Sequence, residues 1–188
     1  MILYTSDLHL GHKNVIRHDQ RPFADVTEMD RTILQLWNSR VQRDDHVYII
    51  GDFTYRSQTP AEEYLRKMRG HKHLIIGNHD RDLLHNDAAM SYFDSVDDML
   101  FLQDEYRREI VLCHYPMAEW NKERHGSWHI YGHIHNNKDE VYEFMKAKKR
   151  ALNAAVCINN YMPVSLEELL RNNRFFQGGE YDETEALY

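Results

Sequence analysis

Five short apolar runs, each ending in residues that favour metals or phosphate, constrain this chain more than any other feature. Ile2-Leu3-Tyr4-Thr5-Ser6 leads into Asp7-Leu8-His9, and Val47-Tyr48-Ile49-Ile50 into Gly51-Asp52. Leu74-Ile75-Ile76 leads into Gly77-Asn78-His79-Asp80, and Ile110-Val111-Leu112-Cys113 into His114. His129-Ile130-Tyr131-Gly132 leads into His133-Ile134-His135. Runs of this length, bounded by Gly or polar turns, read as buried strands. Open sheets gather ligand sites beyond the carboxyl ends of their strands. The pattern predicts a sheet whose strand ends bring Asp, Asn and His side chains to one place, as a metal-centred site requires.

Between these runs the first half alternates strand with helix. Met29, Ile33, Leu36 and Trp37 recur at helical spacing and predict a helix over about 28–41. Thr59-Pro60-Ala61-Glu62 reads as a capping box with proline at the first helical position, opening a helix that ends near Gly70. Such alternation favours parallel strands joined by crossover helices. The second half reads mostly as strand, over 99–102, 109–113, 128–131, 141–145 and 152–158, which suggests a second, partly antiparallel sheet facing the first. Ser165-Leu166-Glu167-Glu168 is a further capping box, with Leu166, Leu169 and Leu170 turned inward. The expected architecture is a two-sheet β-sandwich flanked by helices: one domain over 1–175, then an acidic tail over 176–188.

With 188 residues the chain suits a single domain with a sizeable core. Its formal charge of -7 carries no strong nucleic-acid footprint. Two cysteines, Cys113 and Cys157, are too few for a disulfide framework and read as buried reduced thiols. A candidate ligand at residue 7 leaves no room for a leader, and no apolar stretch reaches membrane length, so a cytoplasmic protein is expected. Thirteen histidines are more than such a chain needs for packing.

Asp7 and His9 are separated by one residue, so in extended chain both point to one side and reach one ion. His133 and His135 repeat that spacing. Gly51, without a Cβ, lets the chain turn sharply before Asp52. Each pair alone is common; five in order after apolar runs are not.

The series Asp7-Leu8-His9, Gly51-Asp52, Gly77-Asn78-His79-Asp80, His114 and Gly132-His133-Ile134-His135 resembles the motif set of the calcineurin-like metallophosphoesterases, complete and in order. The stretch from Arg21-Pro22-Phe23 to Trp37-Asn38 further resembles a small, capless bacterial or phage group within them. The resemblance implies a four-layer α/β/β/α fold and two divalent metal ions, Mn²⁺, Fe or Zn²⁺, with Mn²⁺ best suited to support activity in vitro. Asp7, His9, Asp52 and His135 would hold the first ion. Asp52, Asn78, His114 and His133 would hold the second, with Asp52 bridging. It implies hydrolysis of a phosphodiester, nucleotides included, by a hydroxide bridging the metals. His79 would act at the leaving group, its ring oriented by Asp80 or Asp52.

Two divalent ions, two aspartates and a hydroxide leave about +1 at such a site, enough to attract a small phosphate ester to an acidic chain. His12, Arg21, Tyr55, Arg56, Arg81 and Tyr115 lie in adjacent loops and are candidate substrate contacts. An interaction scaffold that keeps the fold, or a nuclease subunit, is the alternative.

Overall fold

The alternation of the first half folds as expected into parallel strands. The computed structural model describes residues 1–179. Strands β1 (Ile2–Thr5), β2 (His46–Ile50), β3 (His71–Ile75) and β4 (Phe93–Asp97) form one four-stranded sheet in that order, every pair parallel. Strands β5 (Met99–Gln103), β6 (Glu109–Cys113), β7 (Trp128–Tyr131) and β8 (Ala151–Asn153) form the second. There β5 runs antiparallel to β6, and the remaining pairs are parallel. The protein is thus α/β, with two sheets flanked by helices.

Helix α1 spans Lys13–His18 and α2 spans Val26–Arg40. The latter begins two residues earlier than its apolar spacing predicts, because the Asp25 carboxylate accepts from the Glu28 amide at 2.8 Å and caps it. Its buried Met29, Ile33 and Trp37 pack with Leu3, Val47, Ile49 and Leu74 of the first sheet. Burial of each such side chain contributes roughly 1.5–3 kcal/mol. Tyr4, Ile50 and Ile75, on the opposite face, meet Ile110, Leu112, Trp128 and Ile130 of the second sheet. A third apolar group joins Val111 and Tyr131 to Tyr142 and Met145 on helix α6 (Glu140–Lys146).

Three sequence expectations change. Residues 141–145 are helix rather than strand: the Asp139 side chain caps the Tyr142 amide at 3.0 Å, and Tyr142 and Met145 share the buried face. The helix at residue 61, α3, covers only Ala61–Leu65. Pro60 occupies its cap position, and Glu62 bonds Asn86 at 2.8 Å instead of reaching back to complete a capping box. Of the expected strand over 152–158, Leu152 and Asn153 belong to β8 and Ala155 makes an isolated bridge to Ser6; Val156–Ile158 is a 3₁₀ turn, and Cys157 is only partly buried.

Short helices α4 (Arg81–Leu84) and α5 (Asp87–Met90) follow β3. The capping box at Ser165 forms as predicted, opening α7 (Leu166–Phe176), whose Leu166, Leu169 and Leu170 enter the core between the sheets. Helix α7 includes Phe176, the first residue of the expected tail. The acidic residues from 180 onward lie outside the described residues. No helix among the described residues is long and apolar enough to cross a membrane.

Candidate metal centre

The two sheets meet where β1 ends. The Ser6 amide donates to the Ala154 carbonyl at 3.0 Å, and Ser6 bridges in parallel to Ala155. This brings the loops after β1, β2 and β3 beside those after β6 and β7. Two glycines permit the closeness: a Cβ on Gly51 (φ +78°) would fall on the His114 ring, and one on Gly132 would lie 2.6 Å from an Asp7 carboxylate oxygen.

Asp7, His9, Asp52 and His135 each present one ligand atom, all within 4.8 Å of one another. His9 Nε2 lies 3.1 Å from His135 Nε2 and 3.5 Å from an Asp52 oxygen, while His135 Nε2 lies 3.4 Å from Asp7. A second group sits alongside. Asn78 Oδ1 is 2.9 Å from His133 Nδ1 and 3.0 Å from His114 Nε2, and the latter is 3.7 Å from the same Asp52 oxygen. The two expected ligand sets are therefore adjacent and joined at Asp52.

The paired residues reach the centre differently from the extended geometry expected of them. Asp7, His9, Asp52, His133 and His135 all have left-handed backbones, with φ between 50° and 71°. Such conformations cost about 1–3 kcal/mol each and persist where surrounding bonds enforce them. Here the Asp7 amide donates to the Gly51 carbonyl at 3.1 Å and the His9 amide to Asp52 at 3.0 Å. The His133 amide donates to both Asp7 carboxylate oxygens, at 3.2 and 3.1 Å.

Asp80 is placed apart from the His79 ring. Its fully buried carboxylate accepts from the amides of Asp52 (2.9 Å), Phe53 (2.9 Å) and Gly77 (2.8 Å). The Asp52 carboxylate accepts the His79 backbone amide at 2.9 Å, again leaving the ring free. That ring packs on Tyr55 instead, with centroids 4.0 Å apart, and lies 5.5 Å from the His9 ring.

Burial dominates the electrostatics. It raises the Asp52 carboxyl to about 7, against the pull of His114 and with help from Asp7. Burial would raise Asp7 too, but His135, His114 and His9 hold it well below the usual carboxylate range. Burial lowers His9 to about 3 and also lowers His79 and His133. His135 is opposed by burial yet held up at about 10 by Asp19 and Asp7.

Asp19 was not legible from strand endings. It lies in the loop after α1, 95% buried, with one oxygen 2.8 Å from His135 Nδ1, fixing the ring that faces the cluster. Arg21 proves to be a brace rather than a substrate contact. Its guanidinium, wholly buried, donates to Asp19 and to the carbonyls of Asp7 and Leu8. His12 sits beside Tyr55 and His9, with ring centroids 4.8 and 5.5 Å away. Arg56 is exposed and lies 5.0 Å over Tyr55, Arg81 is exposed, and Tyr115 is exposed with its ring 4.8 Å from His133.

The donor set fits a divalent cation. Nitrogen and oxygen donors without thiolate suit Mn²⁺, Fe or Zn²⁺. Two imidazole Nε2 atoms face each other at 3.1 Å beside two carboxylates, and the buried His9 Nδ1 has no hydrogen-bond partner.

Fold and site define a class: an α/β protein of two four-stranded sheets, with an aspartate–histidine cluster where strand ends of both converge. The chain belongs to the same family as the uncharacterized protein MJ1445 of Methanocaldococcus jannaschii, with which it is 32% identical over 173 residues, 90% of this chain and 89% of that one. It is also 31% identical over 160 residues to the gene 66 protein of Mycobacterium phage L5, covering 71% of this chain and 76% of that one. The crystal structure of AQ665, a protein of unknown function from Aquifex aeolicus, superposes with a TM-score of 0.68 at 26% identity, over 87% of this chain and 94% of that one. No protein-family model matches the chain.

Proposed function

We propose that this protein is a metal-dependent phosphoesterase of the calcineurin-like class, cleaving phosphodiesters. The observation that carries the reading is Asp52. Its carboxylate oxygen faces His9 at 3.5 Å and His114 at 3.7 Å, so one side chain serves two ligand groups. A carboxylate can bind two cations at once; a neutral imidazole cannot. Asp7, His9, Asp52 and His135 would hold one divalent ion, and Asp52, Asn78, His114 and His133 the other. Such ions supply Lewis-acid polarisation of phosphoryl oxygens and a water of lowered pKa.

The chain's own groups do the rest. Asp80 locks the Gly77 and Asp52 backbones together, so Asn78, His79 and Asp52 arrive in register. Asp19 holds His135 by Nδ1 and leaves Nε2 facing the cluster. The His79 ring makes no hydrogen bond among the described residues and is free to give a proton to a leaving alkoxide. Burial lowers its pKa, which makes the protonated ring a stronger acid.

The test is a metal-stripped protein reloaded with Mn²⁺, Fe or Zn²⁺ and offered chromogenic diesters, nucleotide monoesters and dinucleotides. Hydrolysis abolished by chelator and by Asp52→Ala is expected. Inactivity toward every ester with all three metals would reject the reading.

A further inference from the structure

A groove leaves the metal centre on the His12–His79 side. A cavity of about 160 Å³ has His79, Tyr55 and Arg56 in its wall. Arg56, Ser57 and Thr59 also line a cavity of about 460 Å³, together with His12, Lys13, Asn14 and Thr27. That one in turn shares Thr27, Asp30, Thr59 and Tyr64 with an open depression along α2 carrying Arg31 and Lys67.

The charges along this groove differ from those of the chain. Lys13, Arg31, Arg56 and Lys67 line it, and none forms an ion pair among the described residues. Its carboxylates are Asp30 and Asp82. Asp30 is already engaged, accepting the Gly11 amide at 3.0 Å and the Tyr64 hydroxyl at 2.7 Å. Arg56 has a left-handed backbone (φ 48°) and lies over the Tyr55 ring. Of the groove's cations, Lys13 and Arg56 share cavities with His12 and His79, so two unpaired cations stand next to the centre of a chain with formal charge -7.

We propose that this groove binds the phosphate next to the scissile one, held between Lys13 and Arg56, so that the substrate is a nucleotide chain with at least two phosphates. This rests on the phosphoesterase reading above. The shared chemistry is a polyphosphorylated anion. A nucleotide chain is favoured because Asn14, Thr27 and Gln58 line the 460 Å³ cavity with uncharged hydrogen-bonding groups, in a volume suited to a sugar and base. A bare polyphosphate would leave those groups unmatched.

The experiment compares thymidylyl-thymidine with and without a terminal phosphate, using wild-type protein and Lys13→Ala/Arg56→Ala. One arm measures kcat/KM with Mn²⁺; the other measures binding by calorimetry in chelator. The terminal phosphate is expected to improve both about tenfold in wild type, the size of a charge-assisted contact, and less than twofold in the double variant. An equal phosphate effect in the two proteins, or none in wild type, overturns the proposal. Tripolyphosphate bound as tightly as the phosphorylated dinucleotide overturns the nucleotide assignment. If neither dinucleotide is cleaved, the phosphoesterase reading falls while the binding arm still decides this one.

Discussion

The Tyr55 ring lies against His79 with centroids 4.0 Å apart and planes tilted by 46°, the tightest ring contact at the centre. With no carboxylate on the His79 ring, this packing sets its orientation. His79→Ala is expected to keep its metal content yet lose roughly 10²–10⁴ in turnover, as removal of a proton donor does. Tyr55→Ala should cost about tenfold, in line with an aromatic pair worth about 0.5–1.5 kcal/mol, while Tyr55→Phe keeps full rate. Elemental analysis beside kcat and KM separates loss of metal from loss of orientation. A normal rate in His79→Ala removes that residue from the mechanism.

Asp80 holds three backbone amides with one fully buried carboxylate. Asp80→Ala leaves the amides of Asp52, Phe53 and Gly77 without that acceptor in the interior. A stability loss of roughly 3 kcal/mol or more is expected, since each buried unsatisfied donor costs about 1–3 kcal/mol. Urea denaturation measures it. A loss under 1 kcal/mol would mean that other acceptors replace the carboxylate.

Much of the centre was legible because its residues sit where apolar runs end, and strand ends are positions that periodicity can locate. Periodicity places Asp7, His9, Asp52 and His135 at strand ends, the motif resemblance alone groups them as one set, and their ligand atoms lie together. The left-handed backbones of these four and of His133 were not legible, since they depend on amides bonded across loops distant in sequence, such as Asp7 to Gly51. Asp19 escaped for a related reason: it follows a helix, and its bond to the cluster is made through His135, far along the chain. Residues 141–145 misled because Val141, Tyr142 and Phe144 are β-branched and aromatic residues that favour strands, while the deciding signal was the Asp139 cap outside the run.

His129 makes acid stability a further test. The fully buried ring accepts the Met117 amide at Nε2 (3.2 Å), so Nδ1 carries the proton toward the Val111 carbonyl. Burial lowers its pKa from 6.5 to about 4. A depressed histidine binds fewer protons folded than unfolded, so its contribution is complete above pH 6.5 and lost as pH falls toward 4. Between pH 7 and 4.5 the wild type should lose about 2 kcal/mol through this residue alone. His129→Asn, though weaker at pH 7, should lack that part of the decline. Denaturant unfolding across the pH range reads the difference between the two slopes; parallel curves would show that His129 titrates normally.

Metal loading should register in stability as well as in activity. A cation that binds only the folded ligand cluster stabilises by about 2.7 kcal/mol at a free concentration a hundred times its Kd. For a chain of this size that shifts Tm upward by roughly 5–10 °C. Mn²⁺ added to the chelator-treated protein should produce such a shift, and excess chelator should reverse it. Asp52→Ala removes the carboxylate shared by both ligand groups and should abolish most of it. His133→Ala, which leaves Asp7, His9, Asp52 and His135 in place, should retain part of the shift and about half of the bound metal. Equal responses in wild type and Asp52→Ala, measured by calorimetry with metal stoichiometry alongside, would place the cation elsewhere on the protein.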